Sequence, residues 1–128
     1  MNQIDLHHIA LCCHEKQSLS VFYDEILDAR LVKTFQVSPE LFFDIFEQKE
    51  SAEVFVYETD QLRFEIFLME KSIDRGSAHV CLEVPDKKAF AEQCSRHQIP
   101  VKWVKKNDKR LLFVADFSGN LFEIKEKQ

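Results

Sequence analysis

The chain reads as one pattern written twice, and no other feature restricts its folding so strongly. Each half opens on a short apolar run holding a histidine: Leu6-His7-His8-Ile9-Ala10-Leu11 in the first, Ser77-Ala78-His79-Val80-Cys81-Leu82 in the second. Each closes on an apolar run holding a glutamate, Leu62-Arg63-Phe64-Glu65-Ile66-Phe67 and Leu121-Phe122-Glu123-Ile124. The period is about 60 residues, and the order of the four polar residues is His, Glu, His, Glu.

Within the first half, residues 4–13 predict a strand buried on both faces. Leu19, Phe22 and Ile26, spaced i, i+3, i+7 behind Ser18 as N-cap, predict an amphipathic helix of about three turns. Residues 29–37 follow as a strand, and 41–47, 52–58 and 62–69 are strand-like, separated by polar 48–51 and 59–61. Set against the repeat unit β-α-β-β-β, this half carries one strand-like stretch more than the unit holds. Residues 71–76 are charged, carry one of only two glycines, and form the connector.

The second half predicts a strand at 78–84 and a break at Pro85-Asp86 that suits a helix start. Ala89, Phe90, Cys94 and His97 then share one helix stripe. Strands at 101–104, 110–116 and 120–125 follow, divided by turn-forming Lys105-Lys106-Asn107-Asp108 and Ser118-Gly119-Asn120. The expected fold class is α+β: two tandem βαβββ modules (1–70 and 77–128) in one domain spanning 1–128, with curved mixed sheets around a metal-binding cleft.

Twelve Phe among 128 residues, 45% of them hydrophobic, suffice for a sizeable core. No apolar stretch approaches the roughly 18 residues of a membrane span, and no basic, then apolar, leader opens the chain, so a cytoplasmic protein is expected. Cys12, Cys13, Cys81 and Cys94 lack the spacing of a disulfide framework and are expected to be reduced, mostly as small core residues. Seventeen basic against 22 acidic residues leave a formal charge of −5, which disfavours nucleic acid.

A carboxylate in the centre of a buried strand costs several kcal/mol unless it is paired or binds a metal. Two of them, matched by two imidazoles at repeat-equivalent positions, point to one shared cation held by His8, Glu65, His79 and Glu123. Side chains alternate along a strand, so Phe64, Ile66, Phe122 and Ile124 should face helices while Glu65 and Glu123 face the cleft. An N2O2 set suits Zn, Ni, Co, Mn or Fe(II) and leaves positions open for water or substrate. Arg63 and Lys125, two residues from the glutamates on the same faces, offer a competing account by simple ion pairing. Strand alternation turns His7 away from His8, His14 stands at the strand exit, and His97 belongs to a helix end. Cys12 and Cys81 share faces with His8 and His79 as small fillers.

These strings resemble the vicinal-oxygen-chelate superfamily, which includes glyoxalase I, methylmalonyl-CoA epimerase, extradiol dioxygenases, fosfomycin-modifying enzymes and bleomycin-binding proteins. Phe22-Tyr23-Asp24-Glu25-Ile26-Leu27 and Asp116-Phe117-Ser118-Gly119-Asn120-Leu121-Phe122-Glu123-Ile124 add to the resemblance, the second being the most specific. It implies paired βαβββ modules, a divalent metal on His8, Glu65, His79 and Glu123, and often a homodimer. The set looks most like the glyoxalase I branch, where the residue matching Glu123 also serves as base. The expected activity is a metal-dependent lyase or isomerase that chelates a small oxygenated substrate and moves a proton with Glu123 or Glu65. An Fe(II)-dependent ring-cleaving dioxygenase and a non-catalytic small-molecule binding protein are the alternatives. The chain departs from the pattern at Leu27-Asp28-Ala29, where relatives place Leu-Gly, and at Cys12-Cys13-His14, where glutathione-dependent members offer an Arg.

Overall fold

The computed structural model describes residues 3–70 and 74–128, so half of the expected connector, residues 71–73, lies outside the described residues. Two four-stranded sheets carry the repeat. The first is built from β1 (Ile9–Cys13), β2 (Arg30–Val37), β3 (Ala52–Glu58) and β4 (Arg63–Leu68), in the order β1-β4-β3-β2. The second repeats that order with β5 (Val80–Val84), β6 (Val101–Lys106), β7 (Lys109–Ala115) and β8 (Leu121–Glu126), giving β5-β8-β7-β6. In both, the first strand runs parallel to the last and every other pairing is antiparallel. The sheets are open, and the α+β, two-module reading holds.

The helix expected around Leu19, Phe22 and Ile26 forms, but with a wider turn, as a π-helix over Ser20–Ile26. Leu27 N–H donates to the Phe22 carbonyl at 3.0 Å, five residues back, and the widened turn brings the neighbours Phe22 and Tyr23 together into the core. Ser18 does not cap it; its hydroxyl donates to the Glu15 carbonyl instead. The helix stops at Asp28, which adopts φ 57, the left-handed conformation that explains why glycine suits this position.

Two boundaries differ from the sequence reading. The first strand begins at Ile9, not residue 4: its ladder with β4 runs from Ile9 opposite Phe64 to Cys13 opposite Leu68. Ile4 and Leu6 are 88% and 72% exposed, so this run is not buried on both faces. The stretch 41–47, one strand too many for a βαβββ module, is instead part of helix α1 (Pro39–Phe46). Its aromatic residues favour strands, but Ser38 accepts a hydrogen bond from Leu41 N–H at 3.2 Å and Pro39 occupies the first turn, where its missing N–H costs nothing. Helix α2 (Lys87–Arg96) starts as expected, with Asp86 accepting from Ala89 N–H. Its buried stripe is Ala91 and Cys94, whereas Ala89 is exposed.

The sheets turn the same kind of face to one common core. Phe64 and Ile66 of β4, Phe122 and Ile124 of β8, and Phe22, Tyr23, Ala91 and Cys94 of the helices belong to it, all 5% exposed or less. Phe22 stacks on Phe122 with ring centroids 4.9 Å apart, and each such ring contributes roughly 1.5–3 kcal/mol by leaving water. A smaller cluster occupies the opposite face of the first sheet, where Phe42 of α1 covers Val37, Ala52, Val54, Val56 and Met69.

The Asp116-Phe117-Ser118-Gly119-Asn120 turn joins the halves. Asp116, 3% exposed, accepts hydrogen bonds from Tyr23 Oη (2.7 Å), Cys13 Sγ (3.3 Å), the N–H groups of Ser118 and Asn120, and Asn120 Nδ2. Asn120 Nδ2 also donates to the Cys12 carbonyl at 2.8 Å. This motif is therefore a structural junction. No cysteine is disulfide-bonded; Cys13 and Cys94 are buried, Cys12 half-buried, and Cys81 is exposed and so not the core residue expected of it.

Candidate metal centre

Equivalent ladder positions place the four candidate residues. His8 is the residue before β1 and His79 the residue before β5. Ala10 lies opposite Glu65 on the β1–β4 ladder, and Cys81 lies opposite Glu123 on the β5–β8 ladder. Each histidine thereby reaches the glutamate of its own sheet: His8 Nδ1 to Glu65 Oε2 is 3.4 Å, and His79 Nε2 to Glu123 Oε1 is 3.6 Å. Strand alternation behaves as read from the sequence, with Phe64, Ile66, Phe122 and Ile124 in the core and both glutamates on the other face. The histidines stand just outside their strands, not at their centres.

Among the described residues no group of three or more metal-type donors within 4.8 Å of one another joins the two pairs. Each sheet's helix-covered face lies against the common core, so the faces bearing Glu65 and Glu123 look out of it. Among the described residues the metal-type cluster with all donor atoms within 4.8 Å of one another is His7, His8 and Glu65. His7 was turned away from His8 by strand alternation; it lies beside it because both residues precede β1, where alternation does not apply.

The competing ion-pair account holds for Glu65 and fails for Glu123 among the described residues. Arg63 Nη1 pairs with Glu58, while its Nε lies 3.8 Å from Glu65 Oε2 and has no hydrogen-bond partner. Lys125 makes no ion pair with Glu123 among the described residues, and the imidazole of His79 is the group that meets that carboxylate. The Glu65 and Glu123 side chains, 14% and 17% exposed, each meet an imidazole, and Glu65 also meets the Arg63 guanidinium; a carboxylate beside an imidazole is a donor combination suited to a divalent metal. Phe113, opposite Glu123 on β7, presents its ring to His79 at 6.4 Å. Phe67, on the Glu65 face of β4, meets Phe46 of α1 edge-on at 5.7 Å.

Other residues take lesser parts. Burial, then the nearby Glu123 carboxylate, pushes the Cys81 thiol up from its ordinary value. His14 lines a cavity of about 970 Å³ against α1 with Phe43, Leu68 and Met69; this space touches neither His–Glu pair. His97 caps α2, its Nε2 3.2 Å from Glu25 Oε2.

This architecture is the vicinal-oxygen-chelate fold. The fosfomycin resistance protein FosX from Listeria monocytogenes matches with a TM-score of 0.75 at 14% identity, over 99% of this chain and 96% of that one. FosX from Mesorhizobium loti gives 0.70 at 16% identity, over 97% and 92%. A glyoxalase family protein from Bacillus cereus gives 0.74 at 13% identity, over 98% and 95%. At such identities the likeness is one of fold. No protein-family model and no curated protein matches the sequence.

Proposed function

We propose that the chain is a metal-dependent lyase or isomerase acting on a small oxygenated substrate, with His8 and Glu65 of one chain and His79 and Glu123 of a second copy as the ligands. The observation that carries this reading is the repeat-equivalent placement of the two His–Glu pairs on the sheet faces turned away from the common core. Such a divalent ion would hold neighbouring substrate oxygens and stabilise negative charge developing on them. Glu65 or Glu123, half-sheltered on its strand, takes the proton from the substrate carbon and returns it. Phe67, Phe46 and Phe113 supply apolar walls beside the carboxylates and limit water around the substrate.

Two further observations support the reading. Leu41, Phe43, Ile45 and Phe46 of α1 and Phe35 of β2 are 37–58% exposed, an apolar surface that a homodimer would cover. A FosX structure from Listeria monocytogenes is complexed with Mn(II) and 1S,2S-dihydroxypropylphosphonic acid, a small oxygenated ligand. One core built from both modules supports a single domain, and four unbridged cysteines suit the cytoplasm. No helix among the described residues is long and apolar enough to cross a membrane. Elemental analysis of native protein alongside Glu65→Ala and His79→Ala tests the site: a stoichiometric transition metal is expected in native protein, lost in Glu65→Ala and depleted in His79→Ala, and native metal content in both variants sinks the proposal.

A further inference from the structure

We infer that His7 is a third metal donor of the first half, making His7, His8 and Glu65 a set that holds the ion on a single chain before any second copy arrives. The inference rests on the metal reading above and adds to it a ligand and an order of loading.

His7 Nδ1 lies 2.8 Å from His8 Nδ1, with ring centroids 5.0 Å apart and planes at 82°. Two imidazole nitrogens this close cannot both present lone pairs to each other. Either one ring is protonated at that nitrogen and donates to the other, or both lone pairs serve a common cation. Adjacent nitrogen donors at about 2.1 Å from one ion stand about 3 Å apart when they subtend a right angle, close to the separation found here. Glu65 Oε2, 3.4 Å from His8 Nδ1, completes the group, and all three donor atoms fall within 4.8 Å of one another.

The second half lacks this feature. His79 matches His8, since each immediately precedes the first strand of its module, so the residue matching His7 is Ala78, which carries no donor. The halves are alike in their His–Glu pairs and unlike in donor number. The first therefore binds the ion more tightly, and His79 and Glu123 arrive as the later pair. His7 is exposed and outside both hydrophobic clusters, so replacing it leaves the fold intact.

Titration of the metal-free protein with Co(II), followed by calorimetry and by visible absorption, tests this without any assay of turnover. The expected result is that His7→Ala weakens Co(II) binding roughly tenfold or more and changes the absorption bands, with the circular dichroism spectrum unchanged. A variant carrying both His79→Ala and Glu123→Ala should still bind Co(II), and should lose it when His7→Ala is added. Equal affinity and spectrum for wild type and His7→Ala overturn the inference; if His8→Ala abolishes binding in that case, the four-residue site survives. His7 dependence with no effect of His79→Ala or Glu123→Ala upholds the inference and overturns the two-copy site. A wild-type protein that takes up no Co(II) overturns both.

Discussion

Tyr23 donates its phenolic hydrogen to Asp116 across 2.7 Å, tying the first helix of one half to the last turn of the other. Both groups are buried, so removing the donor takes one buried bond from a carboxyl that keeps its Cys13 and Asn120 partners. Tyr23→Phe should cost roughly 1–3 kcal/mol, read as a lower urea midpoint with an unchanged slope. Asp116→Ala removes the acceptor from several donors at once and should cost more. A Tyr23→Phe protein as stable as wild type would show that this bond contributes nothing net.

Chelator treatment should abolish turnover, and adding back a divalent transition metal should restore it, if the ion is required. With catechol as trial substrate, an oxygen electrode should record no uptake. Oxygen consumption together with bound iron would instead favour ring cleavage over proton transfer.

The surface of α1 gives a prediction about assembly. Ile45 is 58% exposed, so Ile45→Glu should leave the stability of an isolated chain within about 0.5 kcal/mol. In sedimentation the wild type should run as a dimer and this variant as a smaller species. An unchanged sedimentation coefficient would place the contact elsewhere.

The thiols predict a loss of stability in alkali. Burial pushes the Cys94 thiol up to about 11; burial, then the Asp116 carboxyl, pushes Cys13 up further; and burial holds the Tyr23 phenol well above its ordinary 10.0. The unfolded chain gives up these protons first, near pH 9 for the thiols, so their contribution is complete below that pH and declines as pH rises toward the folded values. The urea midpoint should hold between pH 7 and 8.5 and fall from about pH 9 to 11. Cys81, exposed, should be the first thiol alkylated at pH 8, whereas Cys13 and Cys94 should react only on unfolding.

Asp28 offers a stabilising change. Its φ of 57 lies where a side chain costs on the order of 1 kcal/mol relative to glycine, and the residue is exposed. Asp28→Gly should raise the thermal midpoint by a few degrees.

Much of this was legible in the sequence because period-2 alternation is a local property. Phe64, Glu65 and Ile66 fix which way each side chain of β4 points once the strand exists, and the repeat assigns Phe122, Glu123 and Ile124 the same roles. Helix α1 escaped because Phe42, Phe43, Ile45 and Phe46 carry strand propensity, while the Ser38-Pro39 cap that overrides it is two residues long. The place of His7 beside His8 depended on where β1 begins, a matter of its pairing with β4 more than fifty positions away. Whether the two His–Glu pairs meet is a question of how two sheets pack, and no spacing along the chain encodes it.

The common core has a kinetic corollary. With the hydrophobic backs of both sheets joined inside each molecule, the two-copy site proposed above would form only by collision of separate molecules. Chemistry that needs all four groups should grow with the square of protein concentration at high dilution and become proportional to it once association saturates.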